Sequence, residues 1–141
     1  MQNRETKSNT CSLTFKKYLV DYIEFKRNES YVPNGKVDIE LGMTHNIEML
    51  NDLTARVMLI VNIFEDSEKN NKPFEMKIVI SGIFEISEMN ETNKKIIEQN
   101  TLSILFPYAR AIISTYTANS GVPTLILPPI NILEYLKGNE E

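Results

Sequence analysis

The chain has 141 residues, 42% of them hydrophobic and 24% charged, and a formal net charge of -4. That length holds one domain with a real core and is short for two, and an acidic chain lacks the clustered Lys and Arg that release counterions from a phosphate backbone, so nucleic acid is not the expected partner. A lone Cys11 cannot form an intrachain disulfide, Met1 to Thr10 is polar with no apolar core of a signal peptide, and the longest purely apolar run, Val57 to Val61, falls far short of the ~20 residues of a membrane helix; together these predict a cytoplasmic protein with no membrane insertion.

Residues 1–12 read as a disordered tail and residues 13–137 as a single domain. In the first predicted strand, Leu13, Phe15, Leu19, Ile23 and Phe25 share one parity while Tyr18, Val20 and Tyr22 share the other. A single clean alternation fails there, which a bulge or burial on both faces would explain. After the turn dipeptide Asn34-Gly35, Val37, Ile39, Leu41 and Met43 alternate with polar neighbours as in a half-buried strand. Leu53 to Ile63 repeats the pattern, the charged loop Glu65 to Pro73 turns the chain, and Phe74, Met76, Ile78, Ile80, Phe84 and Ile86 form a fourth apolar stripe. Nothing between these strands is long and periodic enough for a crossover helix, so the reading is an antiparallel meander.

The last third changes period. Glu91 to Gln99 is polar, compatible with a short crossover helix or loop. From Leu102 to Tyr116 the apolar residues fall at three- and four-residue steps, the spacing of one helix face, and Pro107 places the helix start between Ser103 and itself because proline is tolerated in a first turn. Gly121 is placed to stop that helix, Pro123, Pro128 and Pro129 keep the next stretch extended, and Asn131 caps a short last helix carrying Ile132, Leu133, Tyr135 and Leu136. The fold class is therefore α+β, a four-stranded antiparallel sheet with a short crossover helix, one long helix and a short C-terminal helix packed on one face.

Two helices cannot cover both sides of such a sheet, and Tyr18, Val20 and Tyr22 on the first strand with Met58, Ile60 and Phe64 on the third leave apolar surface over. A patch of this kind marks self-association or a ligand groove. Catalytic parts are not legible: there is no glycine-rich phosphate loop or dinucleotide fingerprint, one His and one Cys cannot build a zinc site, and Glu65-Asp66-Ser67-Glu68 reads as a solvated loop. Neither cofactor nor metal is expected, and the chain does not read as an enzyme. Cys11 with His45 could formally pair as nucleophile and base, but Cys11 belongs to the tail and His45 reads as a strand-end residue. The sequons at Asn28 and Asn90 are chance matches without a secretory signal.

Several motifs in order resemble the SecB family of protein-export chaperones: Ile23-Glu24-Phe25, then Gly82-Ile83-Phe84-Glu85-Ile86, then Leu105-Phe106-Pro107-Tyr108-Ala109-Arg110, then Gly121-Val122-Pro123 through Pro128-Pro129-Ile130-Asn131. The resemblance covers nearly the whole chain. It implies a homotetramer built as a dimer of dimers, with first strands pairing across each dimer and long helices sandwiched between dimers. It also implies an ATP-independent holdase that binds unfolded precursor polypeptides in apolar grooves and delivers them to the SecA motor. Phe74 and Tyr108 match aromatic residues that line the family's peptide-binding groove, and Tyr31 lies near a third. The carboxylates that dock the motor correspond to Tyr22, Lys26, Glu75 and Lys77, so only Glu75 keeps the negative charge, and the family's acidic C-terminal tail is shortened to Gly138-Asn139-Glu140-Glu141. The alternative is a specialised SecB-like chaperone of a dedicated client, such as the antitoxin of a toxin-antitoxin system.

Overall fold

The computed structural model describes the chain from Ser12 to Asn139, so the tail expected over residues 1–12 lies, Ser12 apart, outside the described residues. Ser12 itself is tied down, its N–H donating to Ser87 Oγ at 2.9 Å and its carbonyl accepting the Ser87 N–H at 3.0 Å. Four strands, β1 (Leu13–Arg27), β2 (Leu41–Met49), β3 (Thr54–Ile63) and β4 (Phe74–Ile86), form one sheet. Three helices accompany them: a single turn α1 (Ser67–Asn70), the long α2 (Lys94–Ala118) and the C-terminal α3 (Ile132–Asn139). All neighbours are antiparallel, as expected.

The strand order is β1-β4-β3-β2, which corrects the meander. β2, β3 and β4 do follow one another, but β1 pairs with β4, so the segment from Asn28 to Glu40 must carry the chain from one edge of the sheet to the other. It crosses at the end of the sheet, clamped to the β3–β4 connection. Asn28 is buried there: its Nδ2 donates to the carbonyls of Ser67 (3.1 Å) and Lys72 (2.9 Å), and its Oδ1 accepts the Ser30 N–H (2.9 Å). Asn71 Nδ2 donates to the Val32 carbonyl and its Oδ1 accepts the Val32 N–H, at 2.9 and 3.0 Å. The first sequon is thus a scaffold of this crossing, while Asn90 makes the turn into α2, its Oδ1 accepting the N–H of Thr92 and of Asn93.

Hydrogen bonding also moves the second strand. Val37 and Ile39 precede β2 because the Glu40 carbonyl accepts the Phe64 N–H at the crossing, and the ladder starts only at Leu41 and runs on to Met49. His45 is therefore in mid-strand, opposite Leu59, and not at a strand end.

The helices cover one face. Ala55, Val57, Leu59 and Val61 of β3 and Ile78 and Ile80 of β4 are wholly enclosed beneath α2, joined by Leu102, Leu105 and Ile113 from the helix. One continuous α2 replaces the expected short helix and separate long helix, and Pro107 lies inside it. Its missing N–H costs a helix bond to the Ser103 carbonyl, yet Ser103 and Pro107 are both on the exposed side, where water can take that carbonyl. The buried side starts well upstream, at Ile97 and Thr101, and Thr101 hides its hydroxyl by donating to the Ile97 carbonyl at 2.8 Å. After α2, Gly121 takes a positive φ of 78°, as its position predicts, and the proline-bracketed strip lies back along the helix. Arg110 Nε donates to the Leu127 carbonyl (3.1 Å), Ser114 Oγ to the Leu125 carbonyl (3.0 Å), and Leu125 N–H to Thr117 Oγ1 (2.9 Å). Asn131 then caps α3 as expected, its Oδ1 accepting the Glu134 N–H at 3.1 Å.

Two local features generate predictions. α2 reaches the sheet at Gly82, where an added Cβ would come within 2.6 Å of Phe84 Cε1 and 2.7 Å of Leu105 Cδ2. Both are side-chain tips, so the site yields at a cost: Gly82→Ala lowers unfolding free energy by about 1–3 kcal/mol, read by urea titration. At the other end, Glu75 Oε1 accepts both the N–H and the hydroxyl of Ser67, each at 2.8 Å, and these bonds hold its carboxyl below the ordinary carboxylate range. A depressed folded-state value stabilises the fold above the ordinary value of 4.5 and ceases to do so as pH falls through the folded value. Glu75→Gln accordingly lowers the urea midpoint at pH 7 and flattens its fall on acidification below pH ~4.5.

Candidate functional site

Exposed apolar side chains concentrate on β1, a 15-residue edge strand that offers both faces and a free main-chain edge. The ladder with β4 skips Lys16 and Asp21, giving one bulge between Phe15 and Lys17 and another between Val20 and Tyr22. Each bulge inserts a residue and so swaps which parity faces the helices. Opposite the enclosed β4 residues Ile86, Phe84, Gly82, Ile80, Ile78 and Met76 stand Leu13, Phe15, Tyr18, Val20, Ile23 and Phe25. The broken alternation of the sequence is this pair of bulges. It also corrects the grouping of surplus residues: Tyr18 and Val20 face the helix side, Tyr22 the outer face, and Phe64 leaves β3 with a positive φ of 54° to become buried.

The second bulge is held by polar bonds on the outer face. The Asp21 carboxylate accepts from the Ser81 hydroxyl and from Arg56 Nη2 (3.2 Å), while Arg56 Nε donates to Ser81 Oγ (3.0 Å). Ser81 is wholly buried, so these bonds satisfy a hydroxyl that would otherwise be orphaned.

Between the helix side of β1 and α2 lies an open groove of about 620 Å³. Tyr18, Val20 and Ile23 form one wall, and Tyr108, Ile112 and Tyr116 form the other. Val20 is 47% exposed. Two aromatic chains brace the walls against the core. Tyr18 stacks on Tyr108 at 4.3 Å between centroids, and Tyr108 meets Phe15 (5.7 Å), which meets Phe84 (5.3 Å). Tyr116 meets Phe25 (5.3 Å), which stacks on Phe74 (5.2 Å), itself edge-on to Phe64 (5.2 Å). Such pairs add about 0.5–1.5 kcal/mol beyond area burial, so the groove is preformed.

The residues picked from the sequence are placed unequally. Tyr108 lines the groove directly. Phe74 stands behind it, only 2% exposed, and supports the Phe25–Tyr116 wall. Tyr31 is half-buried in the crossing segment, its N–H donating to the Asn28 carbonyl, and does not line this groove. Glu75 is on the outer face, with its Oε1 taken up by Ser67. Beside it on that face, Lys77 Nζ lies 5.9 Å over the Tyr22 ring and Lys26 pairs with Glu68 at 3.9 Å. Cys11 lies outside the described residues, and His45 is engaged elsewhere, Nδ1 at 2.8 Å from the Tyr135 hydroxyl and Nε2 at 3.1 Å from Glu98 Oε2. Sequence reasoning missed Ile23, Ile112 and Tyr116 as groove walls; the signal was the parity break combined with the exposed positions of a long amphipathic helix.

Chemically, the groove offers non-directional apolar contact, three phenol hydroxyls and a strand edge that no other described strand pairs with. Such a surface holds extended chains of varied sequence by side-chain burial and strand addition.

The family model described as preprotein translocase subunit SecB matches residues 12–138. Among similar proteins, an uncharacterised protein of Methanocaldococcus jannaschii is 34% identical over 134 residues, covering 93% of this chain and 86% of that one. The protein-export protein SecB of Dichelobacter nodosus is 31% identical over 67% of this chain and 62% of its own length, and that of Orientia tsutsugamushi (strain Boryong) 31% identical over 74% and 65%. The match thus spans just under two thirds of those SecB proteins. A SecB-like chaperone of Mycobacterium tuberculosis, in complex with a ChAD peptide from the HigA1 antitoxin, aligns with a TM-score of 0.62 over 84% of this chain and 91% of that one, at 11% identity, which is a likeness of fold. With a family match over almost every described residue, and a four-stranded antiparallel sheet and helices arranged as in that fold, the chain belongs to the SecB family.

Proposed function

We propose that this chain is an ATP-independent holdase that keeps client polypeptides unfolded by burying their apolar side chains along the β1–α2 groove and its copies. SecB-family chaperones are non-enzymatic, and no helix among the described residues is long and apolar enough to cross a membrane. The observation that carries the reading is the long edge strand, bulged so that Leu13, Phe15, Tyr18, Val20, Ile23 and Phe25 all face the helix side, beside a preformed aromatic groove. The same surplus supports assembly in the cytoplasm as a dimer of dimers, first strands pairing across each dimer, so that client grooves are completed by neighbouring copies. Tyr108, backed by Phe74, contacts clients in this reading, while Tyr31 stands in the crossing segment outside the groove.

A second reading, a SecB-like chaperone of one dedicated client such as an antitoxin, draws on the four matched positions alone, since Glu24, Glu65 and Asp66 stand with Glu75 around one pocket of the outer face. Glu75 is the only carboxylate kept at the four positions that match the docking set, and it is spent on Ser67, while Lys26 and Lys77 stand beside it. An electrostatic docking surface needs complementary charge, which these positions do not supply.

The purified chain is expected to suppress aggregation of denatured proteins without ATP, followed by light scattering. Val20→Lys combined with Ile23→Lys alters exposed side chains, so the unfolding midpoint stays close to wild type while suppression weakens by roughly tenfold or more, each lysine removing about 1.5–3 kcal/mol of apolar burial. Unchanged suppression in that variant overturns the placement of the site. Suppression confined to one partner, with no measurable binding to SecA by calorimetry, selects the dedicated chaperone, whereas broad suppression with SecA binding selects export.

A further inference from the structure

Hydrophobic pattern does not choose the register of β1 between its two bulges. Tyr18, Leu19 and Val20 are consecutive apolar residues exposed to 37%, 41% and 47%, so either parity leaves apolar side chains on both faces. Register is firmly specified only where pattern and burial agree on one face. Running the ladder on from the Tyr22–Val79 pair without a bulge sets Asp21 opposite Ile80, Val20 opposite Ser81 and Leu19 opposite Gly82, with Lys16 and Lys17 together in the first bulge. In that slipped register Leu19 and Asp21 face α2, while Tyr18 and Val20 turn to the outer face. Burial does not forbid the slip. The groove is open, so a carboxylate in the place of Val20 keeps its water, and both lysines stay exposed.

What separates the two registers is Asp21. In the observed one its carboxylate lies on the outer face, accepting from the Ser81 hydroxyl and, at 3.2 Å, from Arg56 Nη2. Arg56 closes the ring, its Nε donating to Ser81 Oγ at 3.0 Å. The ring ties β1, β4 and β3 together, three neighbours in the sheet. Ser81 is wholly buried, and the Asp21 and Arg56 side chains are only 26% and 33% exposed. A slip lays Val20 over Ser81, which strands the buried hydroxyl proton without an acceptor and takes the carboxylate from a half-buried guanidinium. It also parts Tyr18 from Tyr108, on which it now stacks at 4.3 Å.

We propose that Asp21, Ser81 and Arg56 are positioning residues that set the register of β1, and through it choose Tyr18 and Val20 over Leu19 as the side chains the groove offers to a client. None of the three lines the groove. They act from the opposite face of the sheet, and their role rests on the reading of the groove as the site where polypeptides are held.

Nuclear magnetic resonance reads the register from the backbone of Gly82, which faces Tyr18 in the observed ladder and Leu19 in the slipped one. Gly82 is expected to show cross-strand contacts with Tyr18 in the full chain and with Leu19 in Asp21→Ala. Arg56→Met keeps the Asp21–Ser81 bond and is the gentler variant, expected to show both sets; it decides the question where Asp21→Ala does not fold. Light scattering adds a readout that lost stability alone does not move. In the wild-type background Val20→Lys weakens suppression of aggregation about tenfold and Leu19→Lys leaves it within about twofold. With Asp21→Ala added, the two positions exchange these effects. Gly82 facing only Tyr18 in both variants, or Val20 remaining the sensitive position beside Asp21→Ala, overturns the register lock and leaves the holdase reading standing. A register that moves while neither lysine affects suppression overturns the groove as the client site, and with it the choice of side chains.

Discussion

The structure depends on an edge strand that must bring apolar residues of both sequence parities to the helix side and still belong to a sheet. A regular strand of alternating pattern shows one apolar face, and a strand apolar throughout aggregates when left at an edge. β1 escapes this through its bulges at Lys16 and Asp21. They let Leu13 and Phe15 seal the core, turn Tyr18, Val20 and Ile23 into a groove against α2, and set Leu19 and Tyr22 on the opposite face. Asp21 does double work, since the residue that breaks the ladder also satisfies buried Ser81 and orients Arg56.

From that constraint the remaining parts follow. Because β1 pairs with β4 and not β2, the chain must cross the end of the sheet, and the crossing is fastened by Asn28 and Asn71 to the connection that also carries α1. Glu75 fastens α1 in turn. Glu75 is thereby absorbed into the scaffold, and the outer face mixes apolar side chains, lysines and carboxylates such as Glu24 and Glu85. The helices gather on the inner face, where α2 serves the core with one side and the groove with the other: Leu105 and Ile113 are wholly buried, while Tyr108, Ile112 and Tyr116 line the open wall.

Much of this could be read from residue order alone, wherever local physics decides. β4 begins and ends where its alternating stripe does, Gly121 and Asn131 punctuate the C-terminal third as their chemistry requires, and of the two explanations open for the parity break in β1, a bulge or burial on both faces, the ladder shows bulges, two of them. What could not be read was decided at long range. No local signal distinguishes a meander from a first strand that adds beside the fourth. Val37 and Ile39 alternate as a strand does, but the crossing claims that stretch before the ladder begins. The polar start of α2 hid Ile97 and Thr101, a threonine that pays no desolvation because its hydroxyl bonds back to its own helix. Tyr108, singled out by family resemblance, falls on the wall of the groove, whereas the His45 bridge joins residues 53 and 90 positions away in sequence and leaves no pattern.

The most direct measurement is hydrogen–deuterium exchange of the chain with and without a bound unfolded client. If β1 and α2 hold the client, amides of residues 17–23 and of 108–116 slow together on binding while the central strands β3 and β4 are unchanged. Protection absent from both segments in a demonstrably bound complex would contradict the assignment of the groove.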